Sequence, residues 1–234
     1  MSDSTSLAPA TELAARNKAH FPNENAAYRE ARNSLLVAEI ELRRKIEAVA
    51  RQRRSLPLGG VVPQDFKFES PAGPRKLSDL FGQHDALLVY SMMYGPQRKE
   101  PCPMCTSFLI SWNGTARNLR ERVALAVTAR SDAARMEAYK KRFGFANLDF
   151  VSDVAGEYTR TYVSPEDADM PGFSVFVRRD GAIHHFYSGE MGGEMADPGQ
   201  DPRGAPDLDP LWLMLDLTPE GRGEHWYPKL PSAS

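Results

Sequence analysis

The chain has 234 residues, of which 41% are hydrophobic and 26% are charged, so it is long enough to bury the core of one sizeable domain. Its formal net charge of −2 argues against a general attraction to nucleic acid or to an anionic membrane. No stretch approaches the roughly 20 apolar residues of a membrane span, and residues 1–20 lack the apolar core of a signal peptide. We therefore expect a cytoplasmic protein.

The N-terminal part is predicted to hold a flexible leader and one long helix. Residues 1–22 are rich in Ser, Ala, Pro and Thr and predict the leader. Residues 23–56 predict a long amphipathic helix, because Gly and Pro are absent up to residue 54 and apolar residues recur near helical spacing: Tyr28, Leu35, Leu36, Ile40, Leu42, Ile46 and Val49. Residues 56–60 contain the Pro and Gly residues that end the helix and form a hinge. The helix is compatible with packing on the next domain or with a dimer contact.

Residues 57–230 are predicted to form one domain in which strands and helices first alternate. The near-continuous apolar run at 86–93 is typical of a strand that is buried on both faces. The same kind of pattern predicts further elements: short strands at 66–69 and 150–152, a second buried strand at 123–127, and helices at 77–81, 103–121, 131–144 and 157–162.

The C-terminal part of this domain is predicted to contain a β-hairpin and a last helix. Residues 173–177 alternate in polarity and lead through Asp180-Gly181 to residues 183–187, which is a strong hairpin signal. Residues 188–206 predict a long loop, and an apolar helix follows from 208 or 209 to 217. This order predicts an α/β protein with a central mixed sheet flanked by helices and an N-terminal helical extension. The thioredoxin fold has this order.

The only two cysteines, Cys102 and Cys105, follow a predicted buried strand and open a predicted helix. The free N–H groups and the macrodipole at a helix N-terminus stabilise a thiolate. Pro103 suits this place because its missing N–H is not needed in the first turn. We predict that Cys102 is the exposed nucleophile that attacks a disulfide and that Cys105, one turn into the helix, resolves the mixed disulfide.

Charges of both signs precede the cysteines. Arg98 and Lys99 favour a thiolate at Cys102, whereas Glu100 opposes it. The sequence does not decide the net direction.

Two other interpretations of the cysteine pair remain. Zinc needs about four ligands, and the nearest additional candidates are His84, His184 and His185, which are more typical of partly exposed surface. An inert pair in a helix core is also possible, but it leaves the position after a strand unexplained. We expect no metal and no cofactor.

Further candidate site residues are expected to bind the substrate. Met170-Pro171 immediately precedes the predicted hairpin. In thioredoxin folds a cis-proline occupies this point and faces the dithiol, so the predicted fold implies that Pro171 and Met170 dock a substrate. Pro103, Trp112 and Tyr94 are additional candidates for the groove, although an aromatic residue beside a helix is more often part of the core.

Several segments together carry a family resemblance: Cys102-Pro103-Met104-Cys105, residues 123–130 followed by 136–142, residues 174–178 with Asp180-Gly181, Tyr187-Ser188, and the Leu-Asp-Leu-Thr-Pro-Glu-Gly-Arg stretch at 215–222. In these segments the chain resembles a large bacterial family of thioredoxin-like proteins of unknown function, often described as predicted dithiol-disulfide oxidoreductases or isomerases. The similarity covers most of residues 20–225. It implies a thioredoxin-like fold and a redox-active cysteine pair.

The chain departs from this family just after the cysteines. Family members often carry Trp-Ala-Asp followed by a further glycine, whereas this chain has Ser111-Trp112-Asn113-Gly114. It keeps the tryptophan and lacks the acid. If the acid assists proton transfer in the family, this chain lacks that assistance.

Three functions follow from these patterns. The first is a dithiol-disulfide oxidoreductase that acts on a protein or small-molecule disulfide and is restored by a cellular thiol reductant. The second is a thiol peroxidase, since residues 66–80 resemble the peroxiredoxin-like branch, although Gly95 and Lys99 replace the Pro and Thr that peroxiredoxins carry before the nucleophile. The third is a non-catalytic scaffold, a homodimer through the 23–54 helix, that binds a partner or hydrophobic ligand. Basic and aromatic residues do not interleave, so no nucleic-acid partner is expected.

Overall fold

The computed structural model describes residues 7–164, 169–190, 193–195, 197–198, 209–215, 217–218 and 227–231. The chain divides into two units, Met1–Pro57 and Leu58–Ser234, each held together by its own internal contacts. Among the described residues, no helix combines the length and the apolar character that crossing a bilayer requires.

The first unit contains two helices, α1 (Ala10–Ala15) and α2 (Ala26–Arg54). The side chain of Asn25 caps α2 by accepting a hydrogen bond from the backbone N–H of Tyr28 at 2.8 Å. The predicted helix over 23–56 is thus observed over 26–54, three residues shorter at its start and two residues shorter at its end.

Helix α1 is an element that the sequence did not predict, because it lies inside the predicted flexible leader over 1–22. Ala10 and Ala14 are buried where α1 packs against α2. The guanidinium of Arg44 also donates a hydrogen bond to the carbonyl of Ala8 at 2.6 Å. A helix this short is not stable alone, so its contacts with α2 explain a structure that local composition misses.

A five-stranded sheet organises the second unit. Its strands are β3 (Ala86–Ser91), β4 (Ala124–Ala129), β5 (Asp149–Ser152), β6 (Gly172–Arg179) and β7 (Ala182–Ser188). They lie side by side in the order β5-β4-β3-β6-β7. Strands β3, β4 and β5 are parallel, whereas β6 is antiparallel to β3 and β7 is antiparallel to β6. Strand β4 is buried along its whole length, as a strand with both faces covered must be.

Helices cover the two faces of this sheet. On one face, α4 (Pro103–Leu119) and α5 (Ala133–Arg142) pack in a core cluster that includes both cysteines, and we call it the dithiol face. On the other, the opposite face, α3 (Leu77–Leu80) and α6 (Glu157–Tyr162) pack in a second cluster. The alternation of side chains along each strand separates the two clusters. The remaining elements are a small hairpin of β1 (Lys67–Phe68) and β2 (Arg75–Lys76), a 3₁₀ turn (Gly193–Met195) and α7 (Pro210–Leu215).

The fold is thioredoxin-like, as predicted: a mixed sheet flanked by helices, preceded by a helical extension. The predicted hairpin is confirmed, since β6 and β7 are joined by Asp180 and Gly181, both with positive φ (53° and 77°). Asp and Gly are residue types that tolerate this left-handed conformation. Much of the predicted 188–206 loop and of the stretch after 218 lies outside the described residues, as do residues 208 and 216 of the predicted 208–217 helix, which is helical over Pro210–Leu215.

Candidate active site

Cys102 occupies the N-cap position of α4. Its backbone is extended (φ −64°, ψ 127°), and its carbonyl accepts the first helical hydrogen bond from the N–H of Thr106 at 3.0 Å. Pro103 is the first helical residue, where no N–H is required. The sulfur of Cys102 therefore lies at the positive end of the helix dipole.

The backbone of Met93, just beyond β3, contacts both cysteines. Its carbonyl accepts a hydrogen bond from the N–H of Cys102 at 3.1 Å, and its N–H donates to the Sγ of Cys105 at 3.5 Å. Both cysteines are free thiols, and Cys102 is 8% exposed whereas Cys105 is 2% exposed. Cys102 is therefore buried and not exposed as predicted, because it packs in the core cluster of the dithiol face, although it is less buried than Cys105.

The surroundings of Cys102 lower the pKa of its thiol from 9.0 to about 6. The main cause is a hydrogen bond from the thiol of Cys105, and the backbone N–H groups of Cys105 and Met104 act in the same direction. Burial opposes the shift, and the positive charge of Arg98 adds to it. At neutral pH the thiolate of Cys102 therefore predominates.

The pKa of Cys105 moves the other way, well above its usual value of 9.0. Its hydrogen bond to Cys102 is the main cause, followed by burial and by the negative charge of the Cys102 thiolate. The hydroxyl of Tyr90 and the N–H of Met93 partly offset these effects. The pair therefore holds one thiolate and one thiol at neutral pH.

Asp169 fixes the loop that leads to the cysteines. Its carboxylate accepts a hydrogen bond from the N–H of Gly95 at 3.0 Å and forms an ion pair with Arg98. Asp169 immediately precedes Met170-Pro171. The carboxylate therefore links the segment before β6 to the loop before Cys102, and it places a negative charge next to the arginine that favours the thiolate.

Arg135 of α5 holds the same loop from another side. Its guanidinium donates hydrogen bonds to the carbonyls of Gly95 (3.2 Å) and Lys99 (3.3 Å), and also to that of Arg98. It lies over the ring of Tyr94, with 4.0 Å between the guanidinium carbon and the ring centroid. One side chain thus binds three carbonyls of the loop, and the carbonyl of Gly95 also accepts a hydrogen bond from the N–H of Arg98.

Glu100 has its own partner and is paired away from the sulfurs. Its carboxylate lies 2.6 Å from the guanidinium of Arg142 on α5. The charge that was predicted to oppose the thiolate is thus balanced locally, whereas Arg98 acts on Cys102. The pKa of Cys102 is therefore lowered, which settles the direction of the shift that the sequence left open.

Met170 and Pro171 lie at the start of β6, beside the end of β3. Gly172 pairs with Ser91 in the antiparallel register of these strands, and Met93 follows two residues after Ser91. Both Met170 and Pro171 are exposed. The sheet register thus brings the predicted docking residues to the strand that leads to the dithiol, and the isomer of the peptide bond before Pro171 stays a prediction.

The two predicted aromatic residues of the groove, Tyr94 and Trp112, are buried, with 7% exposure each. Trp112 packs against Phe108, with 4.4 Å between ring centroids, and against Phe173 of β6 at 5.8 Å. Tyr94 packs against Tyr139 at 5.6 Å. Both belong to the core cluster that contains the cysteines, so they are core residues and not the exposed groove residues that were predicted, because their rings pack against other aromatic side chains.

The described residues contain no cluster of three or more His, Cys, Asp or Glu side chains that would hold a metal ion. The two histidines of β7 form other contacts. His184 Nδ1 lies 3.2 Å from the carbonyl of Gly59, and His185 Nε2 lies 2.8 Å from Ser188 Oγ.

A family model of bacterial proteins of unknown function, DUF899, matches residues 18–232. The chain belongs to the DUF899 family. The resemblance found in the sequence is therefore confirmed across nearly the whole chain. Among proteins with curated descriptions, none matches this DUF899 protein.

Solved structures similar to this DUF899 protein include reduced Prx3 from Vibrio vulnificus, with 10% identity, a TM-score of 0.44, and coverage of 65% of this chain and 98% of that one. A hypothetical protein from Sinorhizobium meliloti has 20% identity and a TM-score of 0.42, covering 74% and 91%. A secreted Mycobacterium tuberculosis disulfide oxidoreductase homologous to Escherichia coli DsbE has 16% identity and a TM-score of 0.38, covering 63% and 96%.

Several residues around the dithiol of this DUF899 protein were not predicted from the sequence. Asp169 lies between the predicted helix over 157–162 and the predicted hairpin, where the sequence showed no functional signal, and Arg135 gave none beyond its place in the predicted 131–144 helix. Tyr90 and Tyr139 were read only as apolar positions of a strand and a helix, although an aromatic hydroxyl in a buried run needs a partner. The hydroxyl of Tyr139 donates a hydrogen bond to Thr106 Oγ1 at 3.1 Å. The need of a buried tyrosine hydroxyl for a partner is the sequence signal that could have predicted such a contact.

Proposed function

We propose that this DUF899 protein is a dithiol-disulfide oxidoreductase in which Cys102 attacks a disulfide and Cys105 resolves the mixed disulfide. The observation that carries the proposal is the placement of the two thiols: Cys102 at the N-cap of α4, and Cys105 one turn deeper, with less access. The pKa of about 6 at Cys102 supports it, because the thiolate is the attacking species.

The reaction uses two exchange steps. The thiolate of Cys102 attacks one sulfur of the substrate disulfide, the S–S bond breaks, and the other substrate sulfur leaves as a thiolate that takes a proton from water. The thiol of Cys105 then loses its proton and attacks Cys102 Sγ, which releases the second substrate thiolate. The substrate gains two electrons, and the protein loses two electrons as the Cys102–Cys105 disulfide forms.

A cellular thiol reductant restores the dithiol by the same exchange. Run in reverse, the oxidised pair oxidises a substrate dithiol, and the reduction potential decides the direction. The high pKa of Cys105 keeps this thiol protonated until the mixed disulfide removes the negative charge from Cys102. This order prevents both sulfurs from being thiolates in the resting protein.

The exposed Met170 and Pro171 form the proposed docking edge for the substrate. Their support is the register that sets Gly172 beside Ser91, close to Met93 and hence to both cysteines. An extended substrate at this edge would bring its disulfide to Cys102. The substrate is a protein or a small-molecule disulfide.

The test is a redox titration of the purified protein in a glutathione series, followed by thiol alkylation and intact mass. We expect the two thiols to disappear together at one midpoint, near about −270 mV for a reductant or near about −120 mV for an oxidant. Cys105→Ser is expected to accumulate one glutathione on Cys102, whereas Cys102→Ser is expected to accumulate none.

Two outcomes would overturn the proposal. The first is that both thiols stay fully alkylatable across the whole series. The second is that hydrogen peroxide oxidises Cys102 while oxidised glutathione and a disulfide-bonded peptide do not, which would favour the thiol peroxidase.

A further inference from the structure

Helix α2 has two different apolar faces. One face carries Leu36 and Ile40, which are half-buried and line a cavity of about 460 Å³ together with Leu13 and Phe21 of the preceding segment. The other face carries large apolar side chains that are at least half exposed: Tyr28 (50%), Leu35 (53%), Leu42 (60%) and Ile46 (61%).

The exposed side chains form a continuous line along the helix. Tyr28, Leu35, Leu42 and Val49 are spaced by seven residues, which is two helical turns, and Ile46 lies one turn beyond Leu42. At 3.6 residues per turn, the centre of this line lies about 100° around the helix from Leu36 and about 140° from Ile40. We call Tyr28, Leu35, Leu42, Ile46 and Val49 the apolar stripe, in which Val49 is half-buried and the other four side chains are exposed.

The charges beside the apolar stripe change sign at Leu42. Glu39 and Glu41 precede it, and Arg43 and Lys45 follow it. All four side chains are exposed. Residues 39 and 43 flank one side of the stripe, and residues 41 and 45 flank the other. Both flanks therefore change from acidic to basic at the same position along the helix axis, next to Leu42.

We propose that the apolar stripe binds the same stripe of a second copy of this chain, antiparallel, with the two Leu42 side chains facing each other at the twofold axis. In this register Leu35 lies opposite the partner's Val49, and Ile46 lies opposite the partner's Ala38. In an antiparallel pair the twofold axis is perpendicular to the plane of the two helices and brings identical flanks together. Glu39 then lies beside the partner's Arg43, and Glu41 lies beside the partner's Lys45.

The charges select this orientation over a parallel one. A parallel twofold pair brings opposite flanks together, so it would place Glu39 beside the partner's Glu41 and Arg43 beside the partner's Lys45, and such like-charge neighbours destabilise a helix pair. The basic run after Leu42 would also face its own copy. The antiparallel pair instead sets each acidic segment against a basic one.

The size of the stripe predicts a dimer that depends on concentration. A helix of 29 residues is about 43 Å long, and a stripe about 10 Å wide on each copy gives an interface of about 900 Å² in total. Stable dimers bury about 1,200–2,000 Å² or more. Covalent capture is therefore a better probe of this contact than chromatography alone.

Cysteine crosslinking of the full chain tests both the contact and its register. In a Cys102→Ser/Cys105→Ser background, Leu42→Cys is expected to form a disulfide-linked dimer under mild oxidation, because residue 42 faces its own copy. Leu35→Cys alone and Val49→Cys alone are expected to stay monomeric. A mixture of these last two variants is expected to crosslink, because residue 35 faces the partner's residue 49.

Each alternative arrangement gives a different pattern. If all three single variants crosslink with themselves while the mixture adds nothing, the helices are parallel and the proposal is wrong. If no variant crosslinks and sedimentation gives only monomer up to several hundred micromolar, the stripe does not bind a second copy and the proposal is wrong.

Charge variants test the proposed selection independently. Glu39→Lys/Glu41→Lys is expected to weaken self-association at least tenfold in sedimentation, and adding Arg43→Glu/Lys45→Glu is expected to restore it. Helicity measured by circular dichroism shows whether α2 remains folded in each variant. Equal association constants for the unchanged protein, the double variant and the quadruple variant would show that these charges do not set the antiparallel register, and would overturn it.

Discussion

Two threonines, one on each face of the central sheet, are both completely buried but have different surroundings. Thr106 of α4, on the dithiol face, donates a hydrogen bond to the carbonyl of Cys102 at 3.0 Å and accepts one from the hydroxyl of Tyr139 at 3.1 Å. Thr128 of β4 lies on the opposite face, and its hydroxyl has no hydrogen-bond partner among the described residues.

The difference extends to the two faces as a whole. On the dithiol face, the polar groups of Asp169, Arg135 and Thr106 are paired and hold the loop and the helix end around Cys102. On the opposite face, Asp153 uses one carboxylate oxygen, while its Oδ1, like the hydroxyl of Thr128, lacks a partner among the described residues. Polar side chains thus hold the backbone around Cys102 on the dithiol face, whereas on the opposite face Asp153 holds the first turn of α6.

The largest expected effect on stability is at Asp153, which is fully buried on the opposite face. Its Oδ2 accepts hydrogen bonds from the N–H of Thr159 at 2.7 Å and from its hydroxyl at 2.6 Å. Asp153→Ala leaves both donors unpaired and is expected to lower the free energy of unfolding by about 2–4 kcal/mol in urea denaturation.

Asp153→Asn is the matched control, since it keeps an acceptor oxygen and should lose less stability. Both variants are expected to leave the pH dependence of Cys102 alkylation unchanged. A shift in that pH dependence would show that a change on the opposite face alters the dithiol face, so that the two faces do not act separately.

The next effect is at Thr106 on the dithiol face. Thr106→Val removes a donor to the Cys102 carbonyl and an acceptor for Tyr139, and it is expected to lower the free energy of unfolding by about 1–2 kcal/mol. Tyr139→Phe combined with Thr106→Val should cost less than the sum of the two single changes. Additive losses in urea denaturation would show that this hydrogen bond contributes nothing.

Thr128→Val is expected to act in the opposite direction. The hydroxyl is buried without a partner, so replacing it with a methyl group of similar shape removes an unfavourable burial. We expect the free energy of unfolding to rise by about 1 kcal/mol, measured beside Thr106→Val under identical conditions. Destabilisation of both variants to the same extent would show that the two hydroxyls are equally satisfied.

The smallest expected effect is on the titration of Cys102. Because only the thiolate reacts, the rate of iodoacetamide alkylation should rise with pH through about 6 and level off above it, rather than near 9.0. Arg98→Met removes a positive charge and should move the midpoint upward, with a change of less than about tenfold in rate at pH 6.

Asp169→Asn sharpens this test because it keeps an acceptor for Gly95 while removing the charge that pairs with Arg98. Its midpoint should move downward, opposite to that of Arg98→Met. Shifts of the same sign in the two variants would mean that loop geometry, and not charge, controls the thiolate.

Local patterns in the sequence were enough to predict the sheet and the position of the cysteines. The apolar run of β3, the Asp180-Gly181 turn and the start of α4 at Pro103 each depend on residues close in sequence. The contacts of Asp169 and Arg135 were not predicted, because they join segments that become neighbours only when β6 pairs with β3 and α5 packs on the same face. Helix α1 was missed for the same reason, since its stability comes from α2.

The peptide group of Met93 gives this protein a built-in spectroscopic reporter. Its amide proton points at the sulfur of Cys105, while its carbonyl holds the N–H of Cys102. Formation of the proposed Cys102–Cys105 disulfide would replace the thiol acceptor of that amide with a disulfide sulfur and so change the electron density at the amide proton. With nine methionines in the chain, ¹⁵N-methionine labelling yields a simple nuclear magnetic resonance spectrum. One resonance in it can then follow the oxidation state continuously, without consuming the thiols.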